Sequence, residues 1–185
     1  MAVNVSAHQL ANNELGPLVT NTLARTGLDP SRLALEITER VLVEDKISAD
    51  LLTAIRALGV RISLDDFGTG YSSLSYLQRL PLDAVKLDRS FVSGLAESSV
   101  NRQIVAAIVQ MARALSMTVI AEGVETAPQW ACLRELGCHL AQGHYFAAPM
   151  PASQMTSVLE DASARGGLLR APPTRPEAHR RPLSV

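Results

Sequence analysis

Apolar positions recur along this chain in two rhythms, and the alternation between them organises it. Val3-Asn4-Val5-Ser6 alternates apolar and polar residues as a strand does. From Leu10 to Arg25 the period lengthens to that of a helix, with Leu15, Leu18, Val19, Thr22 and Leu23 on one face. Gly27 ends that helix and Asp29-Pro30 turns the chain. A second strand is predicted over Leu33–Thr38, and a helix over Ile47–Leu58 closed by Gly59. A third strand follows over Val60–Leu64 and a short helix over Ser72–Leu80, stopped by Pro81. Ala84–Asp88 reads as a fourth strand. Ser98–Ser116 reads as a long helix with Ile104, Ile108, Met111, Ala112 and Leu115 on one face. Met117–Ala121 is a fifth strand. Thr126 then caps a helix running from Pro128 to Leu136, which Gly137 ends. His139–Gly143 is a sixth, shorter strand, and Ser153–Ala164 a last helix.

Six strands alternate with helices, and the strands read as apolar runs, so the expected class is α/β with a parallel sheet covered by helices. Spacing alone does not decide between an open doubly wound sheet and a (β/α) barrel. The polar residues do better. Asn4, Glu36, Asp65, Asp66, Lys86, Asp88, Glu122 and Gln142 all fall at or near the C-terminal ends of successive strands. In a barrel those ends converge on one mouth, whereas in an open sheet they spread along an edge. Six contributing strands favour the barrel.

Composition narrows the function. The 185 residues are 47% hydrophobic and 4% aromatic, so the core is aliphatic and sized for one domain. Lys+Arg 17 against Asp+Glu 18 gives no support for a nucleic-acid polymer or a polybasic membrane surface as partner. No apolar run of about 18 residues is present to span a membrane. Cys132 and Cys138, without metal-knuckle spacing, read as structural thiols in a reduced, cytoplasmic setting. From Gly166 the chain turns to proline and arginine, with too little apolar surface to fold. The expected division is a domain over 1–165 and a disordered tail over 166–185.

The chemistry gathers at Asp65-Asp66-Phe67-Gly68-Thr69-Gly70. Side chains on a strand alternate between faces, so both aspartates reach one ligand only if the strand ends and the backbone turns there. Gly68 and Gly70 offer the freedom for that turn, and Ser72 or Ser73 a cap for the next helix. Several carboxylates, an amide and a lysine at one mouth repel one another without a cation. Carboxylate and amide oxygens suit Mg²⁺ or Mn²⁺, while the lack of His or Cys disfavours zinc. An aspartate pair can bridge two ions about 4 Å apart, the arrangement used for in-line displacement at phosphorus. Lys86 would position water or offset phosphoryl charge.

In order, Asn4-Val5-Ser6, Leu35-Glu36-Ile37-Thr38-Glu39, Asp65–Leu74, Lys86-Leu87-Asp88, Ala121-Glu122-Gly123-Val124-Glu125 and Gln142-Gly143 resemble the successive motifs of EAL domains, over residues 3 to 160. The resemblance implies a TIM-type (β/α)₈ barrel that hydrolyses cyclic di-GMP to linear pGpG with two Mg²⁺ or Mn²⁺ ions. It implies that Asn4, Glu36 and Asp65 hold the first ion, and that Asp65 and Asp66, with Glu122 nearby, serve the second. Lys86 is implied to orient the attacking water, with Asp66 and Glu39 also counted as catalytic. Glu39 resembles the glutamate that anchors the Phe67-Gly68-Thr69-Gly70 loop, a loop linked to a homodimer interface. Asp88, Glu125 and Gln142 are implied to line the substrate site. Sensor or cyclase domains commonly precede such a domain.

The resemblance also implies two further strands ahead of Asn4, the second carrying the Glu-Ala-Leu motif whose glutamate is a metal ligand. Six of eight strands are expected here, and loss of that ligand is expected to impair turnover. A non-catalytic cyclic di-GMP-binding or interaction module, or an inactive fragment, is the alternative. An enolate-stabilising Mg²⁺ barrel is more remote, since its base cannot be placed.

Overall fold

The structure, a computed structural model, describes residues 1–11, 14–44, 49–70 and 74–164. Six strands form one sheet whose spatial order is the chain order: β1 (Ala2–Asn4), β2 (Ala34–Thr38), β3 (Arg61–Phe67), β4 (Ala84–Leu87), β5 (Thr118–Ala121) and β6 (Leu140–Ala141). Every pairing is parallel. The connections contain α1 (Ala7–Ala11), α2 (Leu15–Thr26), α3 (Glu39–Glu44), α4 (Ala49–Ala57), α5 (Leu74–Leu77), α6 (Arg89–Ser93), α7 (Ser99–Ala114) and α8 (Ala127–Glu135), and α9 (Ala152–Ala164) closes the described chain. Among the described residues β1 and β6 pair on one side only, so the sheet is an incomplete barrel wall. The tail after residue 164 lies outside the described residues, as do Ile47, Ser72 and Ser73.

The core lies between sheet and helices. Leu35, Ile37, Ile62, Leu64, Val85, Leu87, Val119 and Ala121 are buried on the helix-facing side. Between them Glu36, Ser63, Asp65 and Lys86 point the other way, so β2, β4 and β3 as far as Asp65 alternate and are not uniform apolar runs. The opposite face carries the polar site.

Other expectations are corrected by local chemistry. The helix expected over Leu10–Arg25 is described as two elements, α1 and α2, with Pro17 in the first turn of α2, where a missing N–H breaks no intrahelical bond. The buried stripe of α7 is Val105, Val109 and Ala112, while Ile104 is 38% exposed. Ser98 caps α7, and Thr126 with Gln129 forms a full capping box on α8 with Pro128 inside its first turn. Cys132 and Cys138 are buried free thiols.

Candidate functional site

β3 does not end at Leu64; it continues through both aspartates to Phe67. Asp66 takes a left-handed φ of 53°, and the β3–β4 register slips between Leu64 and Phe67. That bulge does the work expected of a turn, rotating Asp66 so that two sequence neighbours serve one site. Asp is among the residues that tolerate this conformation, so the device needs no glycine. Gly68 is also left-handed and Gly70 is not.

The register places the rest. Asn4 lies opposite Glu36, Glu36 opposite Ser63, and Lys86 opposite Ile120. Lys86, whose side chain is 5% exposed, reaches Glu36 Oε2 at 2.9 Å, Asp65 Oδ1 at 2.9 Å and Glu122 Oε1 at 2.6 Å. Burial alone would lower the Lys86 pKa. Hydrogen bonds to Glu122, Glu36 and Asp65 outweigh it and hold the ammonium charged beyond its ordinary range. Glu122 is pushed up by burial, which Lys86 only partly offsets, and by the Asp65 and Glu36 charges. Asp66 is raised by burial and then by Asp65 and Asp88. In both, burial is the larger cause, and neighbouring carboxylates that one ammonium does not neutralise add to it.

One carboxylate oxygen from each of Asp65, Asp66 and Glu122 lies within 4.8 Å of the others. An all-oxygen set with excess negative charge fits a hard divalent cation, so these three residues could hold Mg²⁺ or Mn²⁺. Glu36 stands beside them through Lys86. Asn4 is exposed on β1, opposite Glu36.

The loop after the aspartates is anchored as expected. Glu39, 3% exposed at the first position of α3, accepts the Gly68 N–H at 2.9 Å and the Gly70 N–H at 3.2 Å through one oxygen. Thr69 Oγ1 donates to the Asp66 carbonyl at 2.8 Å. Phe67 packs against the core, and Gly68 lies flat on the Phe91 ring, where a Cβ would stand 2.6 Å from a ring carbon. Gln142 donates to Glu122 Oε1 at 2.6 Å.

Two expected site residues have local partners of their own. Asp88 caps α6, accepting the Ser90 N–H at 2.9 Å; that bond holds its pKa low against the opposing effect of burial. Glu125 pairs with Arg89 at 2.7 Å. Arg89 and α6 were not foreseen. The available signal was Asp88 two residues before Ser90 directly after a strand, an N-cap pattern.

A family model described as EAL domain matches residues 1–149. The bifunctional diguanylate cyclase/cyclic di-GMP phosphodiesterase MucR of Pseudomonas aeruginosa is 48% identical over 156 residues, 84% of this chain and 23% of MucR. The chain thus spans about a quarter of that relative. Among solved structures, the PaMucR phosphodiesterase in complex with c-di-GMP superposes with a TM-score of 0.78 at 48% identity, covering 83% of this chain and 63% of that one. The Klebsiella pneumoniae BlrP1 complex with manganese and cyclic di-GMP gives a TM-score of 0.74 at 34% identity, covering 80% and 38%.

Proposed function

The chain belongs to the EAL domain family, and on that premise we propose that it supplies the metal-binding centre of a cyclic di-GMP phosphodiesterase that yields linear pGpG. The observation that carries this reading is the buried Lys86 ammonium held among Glu36, Asp65 and Glu122, beside the Asp65, Asp66 and Glu122 oxygens. An ion pair built only for stability gains little from three acids competing for one base. A site that holds divalent cations needs that excess.

Two divalent cations, when bound, would neutralise phosphoryl oxygens and lower the pKa of the attacking water. Asn4, Glu36 and Asp65 would hold the first, and Asp65, Asp66 and Glu122 the second. Lys86 would orient the water, since its three partners fix the ammonium in place. Gln142 would hold Glu122 in position. Glu39 would keep the Gly68–Gly70 segment against Asp66, and that segment would form a homodimer surface. A regulatory domain would stand beside this one in a longer chain.

The reading includes reduced turnover for the 185-residue chain assayed alone, because its sheet is open at β1 and β6. The test is a Mn²⁺-supplemented assay for pGpG on this chain, and on the chain joined to the two preceding β/α units of the MucR phosphodiesterase. We expect cyclic di-GMP binding with little turnover from the first and hydrolysis from the second, abolished by Lys86→Met. Absence of binding by both would overturn the reading, and full turnover by the first would overturn the impairment.

A further inference from the structure

Ser63 stands on the site-facing side of β3, two residues before Asp65 and directly opposite Glu36 of β2. The residue is 4% exposed, and among the described residues its Oγ is buried without a hydrogen-bond partner. A buried hydroxyl that gives up water without a replacement is costly, so such groups are as a rule paired with protein or with ordered water.

The surroundings of Ser63 narrow the choice of partner. On the β4 side it faces Ala84, whose side chain is a methyl group. Lys86, two residues further along the same face of β4, spends its three N–H groups on Glu36, Asp65 and Glu122. Asp65 lies further along β3, and its Oδ1 already accepts from Lys86 and from the Asp66 N–H at 3.1 Å. Glu36 sits abreast of Ser63 and meets Lys86 through Oε2. Its Oε1 is therefore the acceptor best placed for the hydroxyl proton. The space between a hydroxyl and a carboxylate is polar, as a buried water requires.

We propose that Ser63 is a positioning residue for Glu36: its hydroxyl donates, through one buried water, to Glu36 Oε1. A carboxylate held at one oxygen can swing about that bond, and a second bond on the other oxygen fixes its plane. Carboxylates that hold metal ions are themselves hydrogen-bonded, and losing such a partner weakens metal binding by about 10–100-fold. This rests on the two-cation reading of the site, in which Glu36 would hold the first ion; Ser63 itself would touch neither ion nor substrate.

The test is calorimetric titration of the 185-residue chain with Mn²⁺, repeated for Ser63→Ala, Ser63→Thr, Glu36→Gln and Ser63→Ala combined with Glu36→Gln. Urea denaturation in EDTA accompanies it. Ser63→Ala should weaken one Mn²⁺-binding step by about tenfold or more and leave the other within about threefold of wild type. Ser63→Thr, which keeps the hydroxyl, should bind as wild type does, a rescue that a merely structural role would not give. With Glu36→Gln already present, Ser63→Ala should change Mn²⁺ affinity by less than about twofold. The urea midpoint of Ser63→Ala should fall. A midpoint that stays or rises, as deletion of a stranded hydroxyl would produce, overturns this assignment alone. So does an unchanged Mn²⁺ affinity, or a full loss that persists beside Glu36→Gln. A wild type that binds no Mn²⁺ overturns the parent reading, and this one with it.

Discussion

Replacing Lys86 with methionine keeps most of the side-chain volume and deletes the charge. The ammonium meets Glu36, Asp65 and Glu122 at 2.9, 2.9 and 2.6 Å, and none of the four side chains is more than 17% exposed. At an effective dielectric of about 20 each contact has a gross attraction of about 6 kcal/mol. Desolvation offsets most of this, and removing one partner of a buried ion pair costs about 3–5 kcal/mol, chiefly because the surviving charges are stranded. For a domain of this size that is a fall in Tm of roughly 6–20 °C. The variant leaves carboxylates that only a cation can neutralise. Its stability should therefore depend on divalent ion more steeply than that of the wild type. Differential scanning calorimetry in EDTA and then in Mn²⁺ measures both. In EDTA Lys86→Met should melt far below wild type, and Mn²⁺ should recover a large part of the difference. Equal Mn²⁺ shifts in the two proteins, or an EDTA difference under about 1 kcal/mol, would refute the claim that this lysine substitutes for cation charge.

Three further outcomes are expected. Glu39→Ala should cost about 2–4 kcal/mol, since it strands two loop N–H groups and a buried volume; hydrogen exchange should speed selectively at Gly68 and Gly70, and unchanged rates there would count against the anchor. Gly143→Ala should cost about 3 kcal/mol or more, because Gly143 has φ 153° and its Cβ would collide with the Val124 backbone; urea denaturation measures it, and a loss below about 1 kcal/mol contradicts the packing. Burial holds the Cys138 thiol above its ordinary pKa. The stabilisation is fully present below the unfolded-state value and is lost as pH rises, because the unfolded thiol ionises first. Wild type should lose stability as pH rises past about 8.5, and Cys138→Ala should flatten that limb.

Chain-local chemistry was legible in part: the Asp88 cap of α6 is local and was not foreseen, while other local signals were. The Thr126 cap, the stop at Gly27 and the Glu39 anchor were legible, because each rests on residues close in sequence or on a strong family motif; the reciprocal Gln129 half of the box was not foreseen. The parallel sheet followed from the alternation of elements. The site was legible as a set of strand-end carboxylates, and the structure gathers Glu36, Asp65, Glu122 and Gln142 around Lys86. The rest of what could not be read depended on register and packing. The bulge at Asp66 arises from how β3 meets β4, and nothing within β3 alone announces it. The α7 stripe was misjudged by one position because Ile104 and Val105 are equally apolar and only the sheet beneath selects between them. Asp88 and Glu125 were named for the site from the family resemblance; Asp88 caps α6 while its charge acts on Asp66, and Glu125 pairs with Arg89 in a pocket shared with Glu122 and Gln142, partners that the resemblance did not supply.

The strand order has a further consequence, for the sequence in which the molecule comes apart. Each strand pairs with the next one along the chain, so every pairing closes a loop of roughly 20–35 residues and none requires insertion between strands already joined. Such a sheet zips from its middle and frays from its ends. Glu36, Asp65 and Lys86 stand on β2, β3 and β4, which have neighbours on both sides, and Glu122 follows β5 directly, donating its N–H to the Leu87 carbonyl. Asn4 and Gln142 stand on or beside the outermost strands. Local opening at the edges would therefore release the flanking amides first and leave the lysine-centred cluster standing, so the charge-bearing part of the mouth is the last to dissolve.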